Sequence, residues 1–169
     1  MKRFVIVGGV AGGMSAATRL RRLDEEAEIV VLERSGHVSY ANCGLPYYVG
    51  GVIEDESSLL LQTPASLRAR FSLDVRINSE VLGLDSKNKL VTVLNKEKNE
   101  EYQLPYDKLI LSTGATPIVP PIIGVERALT LRNIEDVGRI VSELSKKPTS
   151  AVVIGACIVT GKQIGRAHV

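Results

Sequence analysis

With no tryptophan, aromatics at only 4% and 15 glycines, the backbone is shaped more by tight turns than by bulky rings. Cysteine is nearly missing too. Cys43 and Cys157 are too few for a disulfide framework and fit a reducing, cytoplasmic compartment. No apolar run approaches the ~18 residues a membrane helix needs, so no membrane partner is expected. Neither charge sign dominates: 21 Lys+Arg against 19 Asp+Glu leave +2, and no nucleic-acid partner is expected. No metal site is expected either. What remains is an ordinary globular composition, 44% hydrophobic and 24% charged, able to bury a core. Its 169 residues correspond to roughly one domain at ~150 residues each.

The N-terminus superficially mimics a signal peptide, with Lys2 and Arg3 before an apolar run and small residues from Met14 to Ala17. Glycines at 8, 9, 12 and 13 interrupt that run, and Arg19, Arg21 and Arg22 follow at once. A strand, a turn and a helix account for these residues better. Residues 4–7 read as a buried strand, 13–23 as a helix with an Arg-rich outer face, and 28–33 as a second buried strand. That succession is a βαβ unit with a right-handed crossover.

The middle of the chain differs in kind. Short β-type runs at 73–77, 80–84, 90–94 and 102–104, separated by Asn, Ser, Lys and Asp, predict an antiparallel meander. Residues 106–112 predict a further strand, and the proline-bearing stretch 117–124 an extended surface crossing. A helix is expected over 133–147, capped by Asn133 with Asp136 three residues on, and a strand opening at 151–154.

Gly8, Gly9, Val10, Ala11, Gly12 and Gly13 lie between the first strand and first helix, where a dinucleotide-binding fold needs glycine. There the backbone turns tightly, a pyrophosphate approaches closely, and free helix N–H groups face the anion. Glu33, twenty residues after Gly13, suits a ribose hydroxyl acceptor. The strict glycine pattern would place Gly at position 10, and this chain has Val10. A turn rich in glycine for packing alone is the competing reading.

The most specific stretch is Ser39-Tyr-Ala-Asn-Cys-Gly-Leu-Pro-Tyr-Tyr-Val-Gly-Gly51. Together with Gly8–Gly13, Glu33 and Ser112-Thr-Gly-Ala115, it resembles the pyridine nucleotide-disulfide oxidoreductases from about Lys2 to Gly155. The single-cysteine form is similar to the coenzyme A-disulfide and persulfide reductases of that family. The resemblance implies a truncated α/β, Rossmann-like FAD/NAD(P)-binding fold, with a parallel sheet plus an antiparallel meander. It implies FAD as cofactor, NAD(P)H in the full-length parent, coenzyme A disulfide or persulfide as substrate, and a homodimeric parent. Cys43 becomes the redox centre, at a helix start that would favour its thiolate. Arg34, Asn42, Val81, Ser112, Thr113 and Gly114 join the glycine loop and Glu33 as FAD contacts. Ser39 and Asn42 are implied substrate contacts, and Ser15, Arg19 and Arg22 form a helix face suited to coenzyme A phosphates. A solvated basic face widened by Arg21 is the alternative. Where relatives carry a lysine after the Thr63-Pro64 helix, this chain has Phe71. Tyr47 and Tyr48 fit either the thiol's surroundings or the core, and His37 reads as a solvated loop residue. Two other functions stay open: an NADH oxidase or peroxidase cycling Cys43 through sulfenic acid, and a non-catalytic nucleotide-binding fragment. The Asn42 and Gly44-Leu-Pro46 flanks favour the disulfide branch.

Three segments follow from this reading. Residues 1–150 are the first, incomplete segment of an FAD-binding domain. Residues 151–162 are the first strand and broken start of an NAD(P)-binding domain, with Cys157 and Thr160 where its second and third glycines would fall. Residues 163–169 read as a non-native tail, because Ile164-Gly-Arg-Ala-His-Val169 is what a widely used sequencing adapter encodes in one frame. On that reading the last strand leaves an apolar, unpaired edge, and the chain alone binds FAD poorly.

Overall fold

A computed structural model describes residues 1–154, and the expectations for 155–169 lie outside these residues. The chain divides into two compact units, one of residues 1–40 and 60–114, the other of residues 41–59 and 115 onward.

The first unit is built on a four-stranded parallel sheet ordered β3-β2-β1-β7. Its strands are β1 (Arg3–Val7), β2 (Glu28–Leu32), β3 (Asp74–Arg76) and β7 (Lys108–Leu111). Strands β1 and β2 are apolar at successive positions because both sheet faces are covered. On one face Ile6, Ile29, Val31 and Val75 pack with Met14, Ala17, Leu67 and Leu73. Helices α1 (Ala11–Leu23) and α3 (Pro64–Phe71) lie on that side. On the other face Val5, Val30 and Leu32 meet Val91, Val93 and Leu104. These last three belong to a three-stranded antiparallel sheet of β4 (Ser79–Asp85), β5 (Leu90–Asn95) and β6 (Glu100–Pro105). Each fully buried aliphatic side chain in these layers contributes about 1.5–3 kcal/mol relative to exposure.

Three expectations need correction. Residues 73–77 do not open the meander: Val31 pairs with Val75 in parallel, so β3 extends the main sheet. A run of three strand residues carries no mark of its partner, and burial of Leu73 and Val75 against the helices decides it. The first helix begins at Ala11, two residues earlier than expected, because Val10 already serves as its N-cap. Residues 151–154 form no strand, since no described segment pairs with them, and their apolar side chains are exposed.

Arg21 also departs from its expected place in a solvated basic face. Its Nε donates to Phe71 O at 2.9 Å and its Nη2 to Ser72 O at 3.1 Å. Its Nη1 donates to Glu25 O at 2.6 Å and Asp24 O at 3.3 Å. One guanidinium thus ties the carboxyl ends of α1 and α3 together, where helix dipoles favour a cation. Phe71, at the end of α3, packs against the aliphatic core and lies under Arg70 at 5.1 Å from its ring centre.

In the second unit, a 3-10 turn (Asn42–Gly44) leads into the short helix α2 (Leu45–Val49). Helix α4 (Ile134–Leu144) carries the predicted cap, with Asn133 and Asp136 bonding each other's backbone N–H reciprocally. The stretch 115–124 has no regular structure and is exposed throughout, as its prolines predict.

Arg21→Ala is expected to lower the unfolding free energy by about 1–3 kcal/mol, and Arg22→Ala by less than about 0.5. Urea denaturation of the two variants compares them directly; equal losses would contradict the tether.

Candidate functional site

The corner between β1 and α1 is set by close backbone packing. Gly8 has φ +104°, and a Cβ on it would lie 2.1 Å from the Ser112 carbonyl oxygen. A Cβ on Gly13 would lie 1.8 Å from the Gly8 carbonyl oxygen. These two positions require glycine. Gly9 is tightly enclosed by Val38 and Glu33, whereas a Cβ on Gly12 would only touch Ser112 at an ordinary 3.6 Å. Val10 has φ −102°, outside the left-handed region that favours glycine. The corner is held further by Gly8 N–H to Leu32 O, Ser112 N–H to Val7 O and Ser39 N–H to Gly9 O, all within 2.9 Å.

Helix α1 opens with no side-chain cap and no acidic residue in its first turn. Its leading N–H groups and positive dipole end therefore remain available to an anion. That arrangement, with glycine where backbone must come close, fits a dinucleotide pyrophosphate.

Glu33 has a role that spacing does not reveal. The side chain is buried, and its Oε2 accepts from Gly9 N–H at 2.7 Å while Oε1 accepts from Ser35 N–H at 2.9 Å. The carboxylate braces the glycine loop and the turn after β2 at once. Each oxygen keeps a lone pair for a further donor. Arg34 beside it is exposed.

The remaining nominated residues fall into separate places. Val81 packs its side chain against the second core cluster, and its backbone pairs with Val93 just before a bulge toward Gly83. Thr113 and Gly114 follow β7 and are exposed. Ser15, Arg19 and Arg22 share an exposed face of α1, and Ser39 is half-buried at φ +49°. All of these belong to the first unit.

Asn42 and Cys43 belong to the second unit. Cys43 is free and exposed, in the 3-10 turn that precedes α2 and not in the helix itself. Asn42 Oδ1 is buried with no hydrogen-bond partner, an orphaned acceptor on the residue that precedes Cys43. A buried unpaired acceptor costs about 1–3 kcal/mol, so it is suited to a donor from a bound molecule. Gly44 leaves room for the Leu59 side chain, because a Cβ there would lie 2.7 Å from Leu59 Cδ2. Tyr47 is half exposed and Tyr48 partly buried, while its neighbour Leu45 is buried. Among the described residues no group of acids, histidines and cysteines could hold a metal ion, and no helix is long and apolar enough to cross a membrane.

A parallel sheet whose first strand turns through glycine into an uncapped helix, with an antiparallel sheet on its other face, defines a Rossmann-like fold of the FAD/NAD-binding class. Residues 2–161 match the family described as pyridine nucleotide-disulphide oxidoreductase, and the chain belongs to it. It is 40% identical over 163 residues to the coenzyme A disulfide reductase of Staphylococcus aureus (strain JH9), covering 95% of this chain and 36% of that protein. The crystal structure of reduced Bacillus anthracis CoADR-RHD superposes with a TM-score of 0.94 at 48% identity, over 98% of this chain and 30% of that one. A NAD-dependent persulfide reductase from A. fulgidus superposes with a TM-score of 0.79 at 35% identity, over 85% of this chain and 27% of that one. The chain therefore spans about a third of the length of its relatives.

Gly13→Ala is expected to destabilise by about 3 kcal/mol or more, and Gly12→Ala to be neutral or stabilising by up to about 1. Thermal melts followed by circular dichroism test this ordering. Glu33→Gln turns an amide N–H toward a backbone donor and is expected to cost about 1–3 kcal/mol in the same assay.

Proposed function

We propose that residues 1–150 are the first segment of the FAD-binding domain of an FAD- and NAD(P)H-dependent reductase. Its substrate is coenzyme A disulfide or coenzyme A persulfide, and its reactive group is the thiol of Cys43. The observation that carries this reading is that thiol: free, exposed, and flanked by the unpartnered acceptor of Asn42. A thiol without a partner cysteine beside it in the chain forms its disulfide with a molecule from outside.

The chemistry follows from one sulfur. Cys43 thiolate attacks a sulfur of the disulfide; a Cys43–coenzyme A bond forms, the substrate S–S bond breaks, and the second coenzyme A leaves as thiolate. Bound FAD supplies the electron pair, taken from NAD(P)H, that resolves this mixed disulfide. The bond to Cys43 then breaks, the first coenzyme A departs as thiolate, and the Cys43 thiolate is restored. One NAD(P)H and one proton are consumed for two thiols released.

In this reading the Gly8–Gly13 corner and the α1 N-terminus hold the FAD pyrophosphate. Glu33 accepts from a ribose hydroxyl, and Arg34, Asn42, Val81, Ser112, Thr113 and Gly114 complete the site. Exposed Ser15, Arg19 and Arg22 receive coenzyme A phosphates, to which the guanidinium fork binds in bidentate fashion, and Ser39 and Asn42 contact the substrate. The nicotinamide nucleotide binds elsewhere, in the longer protein, a homodimer of a reducing cytoplasm.

In the whole protein carrying this chain, Cys43→Ser is expected to abolish NADH oxidation with coenzyme A disulfide and persulfide while FAD stays bound. Peroxide and oxygen serve as parallel acceptors; faster turnover with either than with both sulfur substrates would favour the oxidase reading. The 169-residue chain alone is expected to take up FAD weakly and to oxidise no NADH. Flavin absorbance after dialysis and NADH absorbance measure the two separately.

A further inference from the structure

Three successive carbonyls after β2 are each capped by groups of the antiparallel sheet or of the turn leading into it. Ser79 N–H donates to Glu33 O at 2.8 Å and Asn78 N–H to Ser35 O at 3.0 Å. Between them, the Arg34 carbonyl receives Lys96 Nζ at 3.1 Å. The outer two donors are backbone groups that any residue but proline supplies. The middle one is a side-chain ammonium from 62 residues away.

That ammonium is itself held. Glu80 Oε2 on β4 lies 3.0 Å from Lys96 Nζ, and Lys96 N–H donates to Asn78 O at 2.8 Å. Asn78 sits at φ +50° and donates its side-chain amide to Glu97 Oε1 at 2.8 Å.

The Arg34 carbonyl and the Ser35 N–H belong to one peptide group, which is planar and stiff. Lys96 fixes the oxygen end of that plane, and Glu33 Oε1 accepts from its nitrogen end at 2.9 Å. The other oxygen of Glu33 accepts from Gly9 N–H at 2.7 Å. A continuous series therefore runs from Glu80 through Lys96, the Arg34–Ser35 peptide and the Glu33 carboxylate to the glycine corner.

We infer that Lys96, held by Glu80, is a positioning residue for the Glu33 carboxylate and hence for the adenosine end of a bound dinucleotide. This rests on the dinucleotide reading above and assigns to β4 and the end of β5 a part in cofactor binding. Lys96 is in reach of no bound group by this argument; it acts through the peptide it orients.

The test reads amide exchange by NMR on the 169-residue chain and FAD affinity by flavin fluorescence on the whole protein that carries it. Lys96→Met is expected to speed exchange of the Ser35 and Gly9 amides and to weaken FAD binding by about tenfold. Lys96→Arg restores both, because its guanidinium still donates to the carbonyl and pairs with Glu80. Glu80→Gln gives a smaller loss in the same direction, and Lys98→Met, on the exposed turn next door, gives none. Unchanged Ser35 and Gly9 exchange in Lys96→Met would overturn the inference. So would equal acceleration at Val91 and Val93, which marks a general loss of stability. A wild-type whole protein that takes up no FAD would overturn the dinucleotide reading instead, while the exchange arm still decides whether Lys96 orients Glu33.

Discussion

The close approach of the Gly8 carbonyl to Gly13 is the constraint from which the rest of the first unit follows. A strand can enter a helix this abruptly only where no side chain separates them, and a Cβ on Gly13 would overlap that oxygen at 1.8 Å. The same turn brings Ser112, just after β7, against Gly8, so the ends of β1 and β7 and the start of α1 meet at one point. Once they meet, the first N–H groups of α1 are directed out of the sheet with no cap of their own. Anion affinity is thus a by-product of how tightly the backbone packs, and it needs no charged side chain in the loop.

Glu33 converts that packing into a single assembly. Its two oxygens join the glycine loop to the turn after β2, and the antiparallel sheet caps the carbonyls of that turn. A buried carboxylate left without donors would be costly, and here both donors are backbone N–H groups whose positions are already determined. The features proposed to meet pyrophosphate and ribose are therefore held by bonds within the protein itself. Preorganisation of this kind reduces the ordering cost of binding.

How much of this was legible in the residues depends on the range of the interaction involved. The strand–glycine–helix–strand order of residues 4–33 and the Asn133 cap were readable because periodicity and capping act within a few residues. The α/β class with an added antiparallel sheet was readable for the same reason. The partner of 73–77 was not, since parallel pairing with β2 joins stretches as far apart in sequence as Val31 and Val75. Arg21 and Arg22 look alike in the sequence, yet one binds four carbonyls and the other is exposed. Lys96 lay hidden among turn lysines and glutamates, with nothing local to single it out. Val10 shows the converse: a strict motif demanded glycine, and φ at that position does not.

Helix α1 joins these threads because its two ends and one flank do different work. Its first turn carries neither an acid nor a side-chain cap, which leaves its leading N–H groups to a partner from outside the helix. Its C-terminus is neutralised by Arg21, which also anchors α3. The exposed flank is left to Ser15, Arg19 and Arg22, so charge on that flank is free of structural duty. A guanidinium with four of its five donors committed to carbonyls cannot grip a phosphate in bidentate fashion, whereas two uncommitted ones can. The division of labour among three neighbouring arginines thus supports a phosphate-bearing substrate for the flank more firmly than a count of positive charges does.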